Sequence, residues 1–383
     1  MTSNKPKILI FIDWFLPGNK AGGPIRSVSN IIKHLHQEYD FYIFTRDRDL
    51  NDNNAYDSIK INEWQKVDDT YHIFYTSPKY LSFSNIKKLI KSQSFDIIYF
   101  NSLFSLWFTI IPLVILKPLK NKAKRILAPR GMLGKGALAL KKTKKNIFLK
   151  SAKLLSLYKN IIWHTSTPQE SNEVKNIFGN GSITISAINI PSILNSKPNI
   201  KKEQGVLKLF FLSRISDKKN LKFAIQILNQ IKTNTIDFDI FGPIEDENYW
   251  NICNSEISKL SKNIQVNYKG ILAQNEIEQT LPNYHFLFLP TKHENFGYVI
   301  AESLSCGCPV IISNQTPWRD LENKKIGWDI DLADKQKYIQ TIQECIAMDN
   351  EHYQQMSKLS KAYVSKMINE SNILEPYRKL FKV

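Results

Sequence analysis

Two short stretches hold most of the side chains that could do chemistry. The first is FLSRISDKKNL (211–221). An apolar run ends at Arg214, and Lys219 follows five residues later at an expected helix start. Two cations so placed can both reach one diphosphate. The second is LPTKHENFGYVIAESLSCGCPVII (289–312). Glu294 falls in a loop, Gly297 at a helix start and Glu302 one turn into that helix. Eight residues of helix turn by about 80°, so both carboxylates are expected on one groove, with the Asn295, Phe296 and Gly297 amides beside them. IFGPIED (240–246) adds Gly242, where backbone can approach closely. Near the start, Gly22 and Gly23 precede a helix whose apolar face includes Val28, Ile31, Ile32 and Leu35. Paired glycines there let backbone amides approach an anion. No Gly-x-Gly-x-x-Gly occurs, which argues against a nicotinamide or flavin cofactor.

These residues need strand ends to hold them, and the chain supplies many. Short β-branched or aromatic runs begin at Ile8, Asp40, His72, Asp96, Arg125, Ile161 and Ile183, with helix-length segments between them. After a polar stretch, Asn195 to Gln204, the alternation restarts at Leu207, Phe238, Ile264, His285 and Pro309. The last fifty residues read as helix. Near-continuous apolar strands with crossover helices imply parallel sheets buried on both faces. The expected architecture is α/β: two doubly wound Rossmann-like domains, 1–195 and 205–365, with a helix at about 366–383 packing back on the first. The ligand is expected in the interdomain cleft, at the carboxyl ends of the strands. On this topology Arg130 faces that cleft, and His164 and His293 lie near it.

Composition sets the limits. The 383 residues carry a net charge of +17. Residues 1–200 hold 29 Lys+Arg against 13 Asp+Glu, while the remainder holds 23 against 22. Between Asp96 and Glu170 there is no acid at all, and 14 cations lie from Lys117 to Lys159. Such a face suits phosphates of nucleic acid, anionic lipid or a lipid-linked diphosphate. Only eight of the 52 cations are Arg, which disfavours a nucleic-acid partner. Four late cysteines form no disulfide or zinc spacing, and the polar Met1–Lys7 has no signal-peptide core. A reducing, cytoplasmic compartment is expected. The apolar run Leu103–Leu116 is 14 residues long, short of the ~20 a membrane span needs, so it reads as a buried helix. Asp237-x-Asp239 and Asp329-x-Asp331 read as strand ends, not as a metal site.

The Glu294–Glu302 spacing resembles the E-x7-E of retaining glycosyltransferases with the GT-B fold. The whole chain resembles glycosyltransferase family 4, and several segments look like a branch that builds bacterial surface polysaccharides. They are AGGPIRSV (21–28), APRGMLGKGAL (128–138), HTSTPQES (164–171), FLSRISDKKNL, IFGPIED and HENFGYVIAESLSCGCPVI (293–311). The resemblance implies metal-independent hexosyl transfer from a nucleotide-diphosphate sugar to a glycan or lipid-linked acceptor, with no cofactor. It assigns Arg214 and Lys219 to the donor diphosphate, Glu294 to the donor-sugar hydroxyls and Glu302 to the ribose. Gly22, Gly23, Gly242 and the amides of Asn295, Phe296 and Gly297 complete the donor site. Asn101, Arg130, His164 and His293 are candidate acceptor or sugar contacts. Asn101 stands where many members carry a histidine, and Asn220 where the phosphate lysine is often followed by glycine. The lysines of 135–159, with Phe148, Ala152 and Leu155 at helical spacing, suggest a basic amphipathic helix on an anionic membrane, hence a peripheral protein at its inner face. Alternatives of other kinds are a nucleotide-sugar epimerase or phosphorylase of the same fold, or a non-catalytic phosphate- or nucleic-acid-binding α/β protein.

Overall fold

The computed structural model describes residues 5–57, 59–119, 121–139, 142–192, 194, 200–369 and 372–383. Lys141 and the first half of the polar stretch Asn195–Gln204, residues 195–199, lie outside them. The chain divides into two compact units, residues 1–190 with 372–383, and residues 191–371.

Among the described residues, the first unit holds eight strands. They are β1 (Lys7–Phe11), β2 (Asp40–Arg46), β3 (Trp64–Val67), β4 (Tyr71–Thr76), β5 (Ile97–Phe100), β6 (Lys124–Leu127), β7 (Ile161–Thr165) and β8 (Ile183–Ser186). Their order in the sheet is β3-β4-β2-β1-β5-β6-β7-β8. Every pair is parallel except the edge pair β3–β4. The sequence reading missed β3, because WQKV is short, half-exposed and without an apolar run. Six helices lie in this unit before the crossing: α1 (Gly23–Leu35), α2 (Phe83–Lys91), α3 (Ile111–Leu116), α4 (Lys135–Ala139), α5 (Lys142–Leu154) and α6 (Pro168–Phe178).

Alternation along β1 splits the core in two. Ile8, Ile10 and Ile12 pack with Ile25, Val28 and Ile31 of α1. Leu9 and Phe11 pack with Ile86 and Leu89 of α2 and Leu113 of α3. Both faces are covered, as a parallel sheet requires. The apolar run 103–116 is broken: a five-residue π-helical turn (Leu106–Ile110) precedes α3, and Leu106 and Val114 face outward. Among the described residues, no helix is long and apolar enough to cross a membrane.

The second unit holds β9 (Val206–Leu212), β10 (Thr235–Phe241), β11 (Ile264–Gly270), β12 (Phe286–Leu289), β13 (Val310–Ser313) and β14 (Gly327–Ile330). Their order, β11-β10-β9-β12-β13-β14, is all parallel. The helices are α7 (Leu221–Leu228), α8 (Glu247–Ile257), α9 (Ile277–Thr280), α10 (Tyr298–Ser305), α11 (Lys335–Ala347) and α12 (Asn350–Asn369). The chain then returns, and α13 (Glu375–Phe381) packs in the first unit. Tyr377, Leu380 and Phe381 are fully buried there. Each such side chain contributes about 1.5–3 kcal/mol. Arg378 adds a two-toothed pair with Glu38 at 2.8 and 2.9 Å.

Both sheets have the doubly wound order in which the winding reverses beside the first strand. The reversal lies between β1 and β5 in one unit and between β9 and β12 in the other. Ligands of such sheets bind at the carboxyl ends of those strands.

Each unit also buries a neutral histidine. His164 on β7 accepts the Tyr99 hydroxyl at Nδ1 (2.6 Å), so Nε2 carries the proton and donates to the Ala187 carbonyl (2.9 Å). His285 accepts the Lys208 amide at Nδ1 (2.9 Å). Burial pushes His164 down to about 3 and His285 down to about 4. The unfolded chain, with His near 6.5, binds these protons first on acidification. Stability from both sites is therefore complete above pH 6.5 and falls as pH drops toward 4. At pH 5 each should cost about 2 kcal/mol relative to pH 7. Urea melts at both pH values should show that loss, and His164→Asn or His285→Asn should shrink it. A melt insensitive to pH between 7 and 5 would refute the assignment.

Candidate active site

At the reversal point of the second sheet, β9 and β12 each end in a loop that carries a charge. After β9, the turn Asp217–Lys219 closes on Asn220, which takes the left-handed conformation (φ 63°). Asparagine tolerates that conformation, and its Nδ2 fixes the turn by donating to the Pro290 carbonyl (3.0 Å). Lys219 is thereby held over the strand ends, with its side chain 10% exposed, and its Nζ pairs with Glu294 Oε2. Glu294 follows β12. Its own amide donates to the Gln315 carbonyl (2.9 Å), and its Oε1 accepts the Asn295 amide (3.1 Å). Burial pushes the Glu294 carboxyl up, but Lys219, Lys218 and the Asn295 amide outweigh it and hold it below the usual carboxylate range. The pair is a fixed cation and a fixed carboxylate at one strand-end junction.

Arg214 is placed differently from the expectation that both cations converge. It pairs with Glu245 at 2.6 Å, both side chains over 40% exposed. An exposed pair of this kind contributes ~0–1 kcal/mol, so Arg214 can leave it at little cost. Gly242 also corrects the sequence reading. Its φ is +129°, and a Cβ there would lie 2.0 Å from the Ser213 carbonyl oxygen. The close approach is to the neighbouring strand end, not to a ligand, so Gly242 positions Arg214 from behind.

Gly297 caps α10 at φ +81°, where a Cβ would meet Ile300 Cδ1 at 2.7 Å. Phe296 is buried against Tyr298 and Trp318, and its carbonyl accepts Trp318 Nε1 (2.5 Å). Glu302 does not line an open groove. It is 0% exposed, because every residue of α10 is buried between the sheet and α12. His293 is partly buried, which lowers its pKa, with Lys218 adding to the effect.

In the first unit, Gly22 ends the loop after β1 with φ +68° and open space where a Cβ would be. α1 starts at Gly23 with no side-chain cap, so its first amides face outward unclaimed by a side chain. The loop is held from the β2–β4 side. Asp49 accepts the Asn19 and Lys20 amides (2.7 and 3.0 Å), and the Tyr75 hydroxyl donates to the Leu16 carbonyl (2.6 Å). Beside it, Asp13 accepts Ser105 Oγ (2.8 Å), and burial pushes its carboxyl up despite Arg46 nearby. Asp13 and Asp49 were not singled out from sequence; nothing in their spacing marks them.

Arg130 and His164 are corrected as well. Arg130 takes φ +54° and spends its guanidinium inside the unit. It donates to Asn101 Oδ1 (2.7 and 3.2 Å), Asn189 Oδ1 (2.9 Å) and the Tyr99 hydroxyl (2.9 Å). His164 is 1% exposed with both ring nitrogens engaged. It cannot touch an acceptor without leaving its place. Asn101 is 3% exposed, and Arg130 fixes its amide orientation. Its Nδ2 is buried and makes no hydrogen bond. Glu170 supports the same corner, accepting the Gly131 amide (2.6 Å) and the Ser166 amide (2.7 Å).

The two Asp-x-Asp triplets are engaged in structure. Asp239 accepts Tyr284 and Asn267 side chains (2.7 and 2.8 Å), and Asp329 accepts the Leu321 amide (2.9 Å). Asp331 accepts Asn314 Nδ2 (3.0 Å).

Residues 193–363 match the family model described as glycosyl transferases group 1. A sequence search of curated proteins finds no match. Among solved structures, the chain is similar to sucrose-phosphate synthase from Thermosynechococcus elongatus, with a TM-score of 0.70, 16% identity and 99% of each chain covered. The UDP-forming α,α-trehalose-phosphate synthase from Burkholderia xenovorans gives a TM-score of 0.71 at 10% identity, again over 99% of each chain. Anabaena HepE, solved with UDP and glucose, gives 0.68 at 15% identity, over 98% of this chain and 99% of that one. The two parallel-sheet, Rossmann-like units are those of the GT-B fold, and these neighbours are GT-B glycosyltransferases.

Proposed function

We propose that the protein is a glycosyltransferase acting with retention. It moves a hexose from a nucleotide-diphosphate sugar to a hydroxyl of a glycan or lipid-linked acceptor in cell-surface polysaccharide synthesis. The observation that carries this reading is the Lys219–Glu294 pair at the β9–β12 junction, inside the segment that matches the family model. Structural neighbours agree: HepE was solved with UDP-glucose, and WaaG is a glycosyltransferase involved in lipopolysaccharide biosynthesis.

In the reaction, the bond between the anomeric carbon and the diphosphate oxygen breaks, and a bond from that carbon to the acceptor oxygen forms on the same face. The acceptor proton passes to the leaving diphosphate. Charge builds on that diphosphate, so the chain's task is to stabilise it. Lys219 supplies a fixed cation, and Arg214 swings from Glu245 to supply a second. In the second unit the amides at Asn295–Gly297 add dipoles, and in the first the Gly22–Gly23 amides are candidate anion contacts. Glu294, ionised beside Lys219, accepts donor-sugar hydroxyls. Asn101 Nδ2, fixed by Arg130, donates to a sugar oxygen. We also read the reaction as metal-independent, because Asp239, Asp329 and Asp331 each accept hydrogen bonds from neighbouring groups. The first unit takes the acceptor, and its basic surface favours a cytoplasmic enzyme resting on the inner membrane face.

Hydrolysis of UDP-, GDP- and ADP-sugars should identify the donor and should persist in excess EDTA. A dead enzyme rescued by Mg²⁺ or Mn²⁺ would overturn metal independence. Phosphate-dependent sugar release would favour a phosphorylase, and epimer formation without transfer an epimerase.

Arg214→Ala and Lys219→Ala should each lower turnover by ~10²–10³. Their stabilities should differ. Arg214→Ala should melt like wild type. Lys219→Ala leaves a mostly buried carboxylate without its cation and should cost about 1–3 kcal/mol, recovered in part by adding Glu294→Gln. Near-wild-type turnover in either single variant would remove the assigned roles.

A further inference from the structure

In the first unit, the amino ends of β7 and β8 open into a groove of about 600 Å³. Tyr158, Trp163 and Phe178 form its floor, with Trp163 stacked on Phe178 at 4.6 Å. Ile183, Lys153 and Lys159 stand on its rim, and no carboxylate lines it. Beside the rim, α5 ends on Leu154 and Leu155, which are 86% and 62% exposed. Two turns earlier on the same helix face, Ile147 is 61% exposed, and Ile183 across the groove is also 61% exposed. The helix buries Leu149 and Ala152 instead. Lys144, Lys150, Lys153 and Lys159 are exposed around these apolar tips, within the segment 97–169 that contains no acid. Leu155, expected on the apolar face of a membrane-lying helix, is thus on the bare side, as is Ile147. Lys145, expected among the free cations, is turned in, donating to the Ala137 carbonyl over the Phe104 ring.

Large apolar tips this exposed, set among cations with no acid, match one surface chemistry: an anionic bilayer. The apolar tips enter the acyl boundary and the lysines meet the phosphates. A soluble acidic protein would satisfy the lysines but leave less reason for four apolar side chains to be bare. We propose that this corner of the first unit, the groove with the α5 tip, is where the enzyme docks on anionic phospholipid. The proposal rests on the membrane-facing reading above and makes it local. The groove lies at the amino end of β7, about 13–16 Å of strand from the carboxyl end. Docking there leaves the carboxyl ends of the strands open to substrate.

The experiment is co-sedimentation of the full chain with vesicles of phosphatidylcholine, alone or with 30% (about a third) phosphatidylglycerol, at low and high salt. Each lysine near an anionic surface is worth about fivefold in binding. Wild type should bind the anionic vesicles and lose at least tenfold at high salt. Lys150→Glu, Lys153→Glu and Lys159→Glu together should lower binding about 100-fold. The same change at Lys232, Lys262 and Lys335 of the second unit should lower it far less. Leu154→Ser with Leu155→Ser, both exposed and so harmless to folding, should weaken binding about tenfold at constant charge. All variants should keep wild-type nucleotide-sugar hydrolysis. Vesicle binding that is absent, equal on neutral vesicles, or equally reduced by both lysine triples overturns the proposal. So does a vesicle-free dimer that Leu154→Ser dissolves, which would make the patch a contact between copies. Vesicle binding without any nucleotide-sugar hydrolysis would instead overturn the transferase reading and leave the docking surface standing.

Discussion

A parallel sheet covered on both faces leaves polar chemistry few places to go. Strands such as ILIF, IIYF and FLFL carry side chains that are all or nearly all buried. A charge within them would need a partner and full hydrogen bonding to survive. Only the strand ends escape this constraint. The carboxyl ends are the useful ones, because helices start there and present unbonded amides. Lys219, Glu294, Gly22, Asn101 and Arg130 each follow the end of a strand or cap the helix after it.

The two units meet the constraint differently. The second places a cation and a carboxylate in direct contact. Such a pair is poor stability engineering, since desolvation consumes most of the attraction and an apolar pair would serve as well. Its persistence at the strand-order reversal argues for use on a ligand. On the proposed reading a phosphate there would compete for Lys219, and a sugar hydroxyl would donate to Glu294. The first unit uses a neutral network instead, with one guanidinium distributed over Asn101, Asn189 and Tyr99. Its left-handed Arg130 is a strained backbone position of the kind that clusters at functional sites.

Sequence showed the parts governed by local rules and hid the parts governed by packing. Strand runs, Gly22, the Asn220 turn and the Lys219 and Glu294 loops were legible because periodicity and turn chemistry are local. β3 was not, since an edge strand needs no apolar run. Glu302 looked like a groove residue because helical spacing gives direction, yet burial depends on what covers the helix, and α12 covers α10. Arg130 looked like a ligand contact because an arginine after a strand is rarely silent. Its partners Asn189 and Tyr99 lie 59 and 31 residues away, and no spacing rule joins them. Gly242 was read correctly as a close approach and wrongly as to what approaches.

That Asn101, and not a histidine, follows β5 has a physical consequence. An imidazole there would change charge near neutral pH. The amide cannot, and its immediate network does not either. Arg130 stays charged, burial holds Tyr99 up at about 12, and His164 is held neutral with a pKa of about 3. The Asn101 donor therefore keeps one charge environment across the whole physiological range. Its orientation is set by Arg130 and not by a proton. The polar network of the first unit is thus set by geometry, while the second holds the fixed charges of Glu294 and Lys219.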